Sequence, residues 1–180
     1  MTPTPSRIYA RIAAAIVACA LALVAAPAAV ADSGGIGTEP PKKASYEYAD
    51  AKLRNGKAIA PETAPPRVQR AIRHANKIRK TKYKWGGGHG SFEDRGYDCS
   101  GAVSYLLHGA RMLKAPTTSG GLMGWGRKGK GKWITVYANS GHTYAVVAGL
   151  RFDTSGGPGP RWHKDMRSKR GFAVRHFKGH

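Results

Sequence analysis

The stretch from Lys82 to Leu113, KYKWGGGHGSFEDRGYDCSGAVSYLLHGARML, constrains this chain more than any other. A loop holding Gly86, Gly87, Gly88 and Gly90 leads through Asp98-Cys99-Ser100-Gly101 into a segment whose apolar residues, Ala102, Val103, Leu106, Leu107, Ala110 and Leu113, recur at helical spacing. The pattern predicts an amphipathic helix with Cys99 at its first turn. Offsets of four, seven and eleven residues keep Cys99, Val103, Leu106 and Ala110 on one face, so the sulfur points where the helix packs, and His108 falls on the opposite face.

A thiol at a helix N-terminus meets the positive end of the macrodipole and unpaired backbone N–H groups, both of which favour the thiolate. The glycines let backbone come close to other backbone or to a ligand. No GKS or GKT follows them and no buried strand precedes them, which weighs against a phosphate loop.

Residues 1–31 read as a secretory signal peptide. Arg7 and Arg11 precede an apolar run from Ile12 to Val24, and small residues end in Ala29-Val30-Ala31 before Asp32. A second reading is lipoprotein processing at Cys19 within Ile16-Val17-Ala18-Cys19, but the apolar run continues past that cysteine, so simple secretion is preferred. The run is short for a span of about 20 residues, and no stable membrane anchor is expected. Cleavage before Asp32 removes Cys19 and leaves Cys99 as the one sulfhydryl. A lone thiol in an exported chain is either a small buried apolar residue or a reactive group, and its place behind a glycine loop favours the second.

Of thirty Lys and Arg, Arg7 and Arg11 lie in the leader and all ten acidic residues lie beyond it, which leaves 28 cations against ten anions and a formal charge of +18. Such a chain adheres to polyanions. For an exported protein the expected partners are anionic cell-wall polymers, and nucleic acid is not expected.

Residues 32–64 read as a basic arm or linker, punctuated by Gly34-Gly35, Pro40-Pro41-Lys42-Lys43 and Pro61, in which Tyr46, Tyr48 and Leu53 are candidates to dock on the domain. A single domain is expected over 65–180. Pro65-Pro66 opens a helix carrying Val68, Ala71, Ile72, Ala75 and Ile78 on its apolar face. Pro116 stops the cysteine helix from continuing, and 117–131 reads as a glycine-rich loop with Leu122, Met123 and Trp125 as cleft or anchor residues. From Trp133 the period becomes two. Trp133 to Tyr137, His142 to Val147 and Leu150 to Thr154 predict an antiparallel meander, and Phe172 to Arg175 a last short strand. With Ala148-Gly149 as a two-residue hairpin loop, Asp153 lies opposite Tyr144 and diagonal to His142 on one face of the sheet.

Cys99 at a helix start, His142 at a strand start and Asp153 on the adjoining strand have the residue types and order of a papain-like triad. The sulfur attacks an amide carbonyl, the imidazole takes the thiol proton and later protonates the leaving amine, and the third group fixes the imidazole's tautomer. The Cys99 backbone N–H, with Tyr83 as a possible second donor, would meet the developing oxyanion. Metal binding competes for His89, Cys99, His108, His142 and His163, but no C-x-x-C or H-E-x-x-H spacing supports it, so no metal is expected.

These residues carry a resemblance. Tyr83-Lys84-Trp85-Gly86-Gly87, then Tyr97-Asp98-Cys99-Ser100-Gly101, then Gly141-His142 opening a strand, are similar to the NlpC-type peptidases of bacterial cell walls, in a secreted actinobacterial branch, from about Pro65 onward. The resemblance implies an α+β, papain-like domain with N-terminal helices packed on a small antiparallel sheet and the catalytic cysteine at a helix N-terminus. It implies hydrolysis of an amide in peptidoglycan stem peptides, often that between D-glutamate and diaminopimelate, with no cofactor. Cys99 would be the nucleophile and His142 the base, with Tyr83 near the oxyanion and Asp98 and Ser100 near the substrate's amino end.

Two departures stand out. Asp153 occupies the place where many members carry a histidine, and Gly131-Lys132-Trp133 replaces the usual Gly-Asp turn before the histidine strand, so bond specificity does not carry over. The alternatives left open are a wall-binding module of the same fold without turnover, and amidase or acyl-transfer chemistry by the same Cys-His pair.

Overall fold

The computed structural model describes residues 47–179; the expected signal peptide, Cys19 and Tyr46 lie outside the described residues. The chain first forms a hairpin of β1 (Lys52–Arg54) and β2 (Lys57–Ile59), turned at Asn55 and Gly56, whose φ angles of 49° and 70° are the left-handed pair that an Asn-Gly turn supplies. Composition assigns this segment to an arm. The structure instead makes it part of the domain, with Ala51, Ala58 and Ala64 buried in the core. Three-residue strands, one with a single buried residue, leave no period for sequence reading to detect.

Helix α1 (Pro66–Ile78) starts on proline and buries Val68, Ala71, Ile72, Ala75 and Ile78, the face that the spacing predicts. Its buried Asn76 ties three elements together. The side chain accepts from Ala58 N at 3.0 Å and from Trp162 Nε1 at 3.0 Å, and donates to Ala58 O at 2.8 Å. Short strands β3 (Lys82–Tyr83) and β4 (Gly96–Tyr97) pair in parallel and deliver the chain to α2 (Cys99–Gly109). Ser100 through Leu107 are all buried, and His108 is exposed as its helical position predicts. Gly109 allows α1 to come close, because a Cβ there would lie 2.1 Å from His74 Cγ.

The expected loop over 117–131 holds two elements, α3 (Ser119–Gly124) and β5 (Arg127–Lys128). Thr118 caps α3 by accepting from Gly121 N, and the helix is too short to show a period. Leu122 anchors it in the core and Trp125 packs on Phe177. The meander follows as β6 (Ile134–Ala138), β7 (Thr143–Val147) and β8 (Leu150–Asp153), and then come β9 (Arg161–His163) and β10 (Ala173–His176). These strands and β5 form one antiparallel sheet in the order β5-β10-β6-β7-β8-β9. Val147 pairs with Leu150 across Ala148-Gly149, with φ of 44° and 78°, so the hairpin closes as the spacing predicts. Helices α1 and α2 cover one face of β7 and β8, and among the described residues no helix is long and apolar enough to cross a membrane.

Candidate active site

Cys99 is the first residue of α2, and its presentation depends on the glycines before it. A Cβ on Gly101 would lie 1.9 Å from Gly87 O, and one on Gly87 would lie 2.3 Å from Gly96 O. The loop backbone therefore rests directly on the first turn of the helix, a packing that only glycine permits. Asp94 pins the loop from outside: it accepts from Lys84 Nζ at 2.9 Å and Gly88 N at 3.1 Å, contacts that lower its pKa to about 2. Asp98 caps α2, with Oδ1 accepting from Gly101 N at 2.8 Å. Cys99 is half-buried at the edge of a cleft lined by Trp85, His89, Ser119 and Gly141.

His142 enters from the opposite wall, immediately before β7. Asn139 shapes that entry: its side chain accepts from Gly141 N at 3.0 Å and His142 N at 2.7 Å, and its own N–H bonds His142 O at 2.9 Å. His142 Nε2 is 2.9 Å from Asp153 Oδ1 and 3.2 Å from Ser155 Oγ. A carboxylate only accepts, so Nε2 carries the hydrogen and Nδ1 is the nitrogen left for Cys99, which is near enough to act on the imidazole's pKa. Burial alone would push the imidazole's pKa down. The hydrogen bond and charge of Asp153, and then the influence of Cys99, outweigh it and raise the pKa to about 9.

Asp153 is buried at 2% exposure and saturated. Oδ1 accepts from His142 and from Ser155 N at 2.9 Å, while Oδ2 is bonded by Arg151 Nη1 and by Arg167 Nη1 at 3.1 Å. Burial would raise this carboxyl, but the bonds from His142, Ser155 N and Arg151 hold it far below the usual carboxylate range. Arg151 is held in turn by Asp165, through O at 3.0 Å and Oδ2 at 2.7 Å. Arg167 also donates to Ser155 Oγ at 2.9 Å, and its guanidinium lies 5.4 Å from the Tyr144 ring centre and 5.6 Å from that of Phe172.

Tyr83, on β3, keeps its hydroxyl proton: burial first, then the charges of Cys99 and Asp98, raise its pKa. Its hydroxyl feels the charge of the sulfur and keeps a proton to donate. Asp98 and Ser100 flank the cysteine in the same cleft, joined by His89, whose Nε2 is 2.9 Å from Ser100 Oγ and 3.1 Å from Asp98 Oδ1.

The structure thus brings His142 and Asp153 together with Cys99 nearby, sets Asp98 and Ser100 in the cleft beside the cysteine, and leaves Tyr83 within reach of the cysteine's charge. His108 stacks on Phe92 at 3.9 Å between ring centres, and His163 sits on β9 opposite Arg151. Among the described residues no group of three or more His, Cys, Asp or Glu is placed to hold a metal ion. Sequence reasoning missed Arg151, Ser155, Arg167 and the contact of His89. Arg151 was within reach, because residues two apart on a strand share a face and Arg151 precedes Asp153 by two. Arg167 lies in a segment with no regular structure, and no local pattern points to it.

No protein-family model and no curated protein matches the chain. Among solved structures it is similar to a hypothetical invasion protein of Mycobacterium tuberculosis, at 22% identity and a TM-score of 0.48 over 71% of each chain. A mutated form of the resuscitation promoting factor interacting protein RipA matches at 21% identity and a TM-score of 0.49, over 72% of this chain and 71% of that one. RipD of Mycobacterium tuberculosis, a non-catalytic NlpC/p60 domain protein adapted to peptidoglycan binding, matches at 19% identity and a TM-score of 0.48, over 63% of this chain and 98% of that one.

Proposed function

We propose that this chain is an exported, cell-wall-associated cysteine peptidase of NlpC type that hydrolyses amide bonds in peptidoglycan stem peptides. The observation that carries the reading is the His142–Asp153 hydrogen bond of 2.9 Å with Cys99 near enough to act on the same imidazole, the sulfur lying at the edge of an open cleft. The sulfur attacks the scissile carbonyl carbon while its proton resides on His142 Nδ1. The carbonyl oxygen becomes the oxyanion and takes the Cys99 N–H and the Tyr83 hydroxyl as donors. Collapse of the tetrahedral adduct breaks the C–N bond, Nδ1 gives its proton to the departing amine, and a thioester remains. Water, deprotonated by Nδ1, attacks that thioester and releases the acid and the thiol. Asp153 holds Nε2–H throughout, so the same nitrogen faces the sulfur in every step.

Incubating the wild-type protein and Cys99→Ala with purified peptidoglycan tests this. Wild type should release new amines and soluble fragments and Cys99→Ala none, with the two unfolding at the same temperature. Equal release by both proteins would sink the reading.

A second activity is favoured by one groove. Lys130, Lys132, Arg167 and Lys169 rim a floor that includes Tyr48 and Trp133. This cationic surface would retain anionic wall polymer without turnover, in a manner weakened by salt and indifferent to Cys99→Ala.

A further inference from the structure

His142 and Asp153 share a sheet face with the cationic groove. Ala145, Val147 and Phe152 are buried in the helix-packed core, so the alternate residues His142, Tyr144 and Val146, and on β8 Arg151 and Asp153, emerge on the opposite face. Tyr144 and Val146 line the groove, a cavity of about 290 Å³ whose Tyr48 and Met166 are 43% and 52% exposed. Among the described residues no acidic side chain lines it. Asp50, beside the groove's Gly149, accepts from the Tyr48 hydroxyl at 2.7 Å.

Arg167 belongs to both places. It lines the groove, and its Nη1 lies 3.1 Å from Asp153 Oδ2 and 2.9 Å from Ser155 Oγ, the hydroxyl that stands 3.2 Å from His142 Nε2. Among the described residues its Nε and Nη2 make no hydrogen bond, so the guanidinium keeps donors for a second anion while it holds the first. Its side chain is 34% exposed on a segment without regular structure.

The groove's chemistry narrows what that second anion is. Exposed Lys169 stands on the same segment as Arg167, and exposed Lys130 on the loop between β5 and β6. Donors arriving from separate segments suit a tetrahedral phosphate, whose oxygens point in several directions, better than a planar carboxylate. The volume is at the small end for a ligand pocket and admits a single polyol phosphate unit, with its carbons against Tyr48 and Met166.

We infer that the groove takes one unit of a polyol phosphate polymer, and that the bound phosphate, by holding Arg167 from the groove side, raises turnover at Cys99. This rests on the peptidase reading. Fixing the partly exposed guanidinium fixes Asp153 Oδ2, and with it the oxygen that aligns His142, which makes Arg167 a positioning residue that links the two sites.

The test uses glycerol 3-phosphate as the polymer's unit and glycerate as its carboxylate counterpart, with ionic strength matched by sodium chloride. By calorimetry, wild type should bind the phosphate at least about tenfold more tightly than glycerate. With a synthetic stem peptide as substrate, saturating phosphate should raise kcat by at least about fivefold and leave KM unchanged. An oligomer of the same unit should give the same gain at a lower concentration. Lys130→Gln combined with Lys169→Gln should bind at least about tenfold more weakly. Arg167→Gln should turn over at a rate that the phosphate no longer changes. Absence of binding by wild type, equal binding of glycerate, or an oligomer weaker than the monomer would overturn the inference. So would a kcat that bound phosphate leaves unchanged or lowers, binding undiminished in the double variant, or a full gain in Arg167→Gln. If wild type cleaves no peptide, the peptidase reading fails by itself. The rate of Cys99 alkylation by iodoacetamide then reads the link: a change of at least about fivefold on adding phosphate supports it and an unchanged rate refutes it.

Discussion

Arg167 Nη1 lies 3.1 Å from Asp153 Oδ2, the oxygen that Arg151 also holds, which leaves Oδ1 to His142. A buried aspartate beside an imidazole would by itself drive that imidazole strongly toward its charged form. Two guanidinium groups on the far oxygen offset part of that charge and fix the carboxylate's plane, so Asp153 orients the imidazole while still raising its pKa.

Replacing Arg167 by glutamine removes one of those cations and the bond to Ser155 Oγ. The expected result is a fall in kcat/KM of about ten- to a hundredfold from lost alignment. The alkaline limb of the pH–rate profile should also move upward, because His142 loses a repelling charge. A pH–rate profile that keeps its limbs and merely scales down would show that Arg167 serves packing alone.

Stability should depend on pH through His142. Its folded pKa of about 9 lies above the ordinary 6.5, so its contribution is fully present below pH 6.5 and is lost as pH rises through about 9. Asp153 works in the opposite sense: its pKa is depressed, so its contribution is present above the ordinary carboxylate value and is lost as acid titrates it. Thermal unfolding across pH 6 to 10 measures the first effect, as a decline in wild type that His142→Gln flattens. Parallel curves for the two proteins would contradict the assignment.

Gly101→Ala should injure the site although alanine is the better helix former by about 1 kcal/mol. The new methyl would meet Gly87 O at 1.9 Å and push the loop off α2. Turnover should drop by at least about tenfold, with the rate of Cys99 alkylation altered as well. Unchanged kinetics in this variant would mean that the loop moves without consequence for the sulfur.

The parts of this fold that sequence reveals are those whose side chains repeat. Val68, Ala71, Ile72 and Ala75 mark α1, and the alternation through Trp133 to Tyr137 and His142 to Val147 marks the meander. Cys99, His142 and Asp153 were legible because each sits at a definable point of such an element: a helix start, a strand start, and a position fixed by a two-residue turn. The hairpin at Lys52–Ile59, the short helix after Thr118 and strand β9 are too brief to carry a period. Arg167 and His89 belong to irregular segments and reach the site through side-chain contacts distant in sequence, in one case to Asp153 and Ser155 and in the other to Asp98 and Ser100. Contacts of that kind arise from the folded arrangement, and nothing in local composition announces them.

The tight bend at Ala148-Gly149 works as a ruler for chemistry that takes place at the other end of its hairpin. Alternate side chains leave a strand on alternate sides, so sliding β8 by one position would carry the aspartate through to the helix-covered side and bring Phe152 out beside the imidazole. The spacing that keeps a proton acceptor behind His142 is therefore set where nothing reacts.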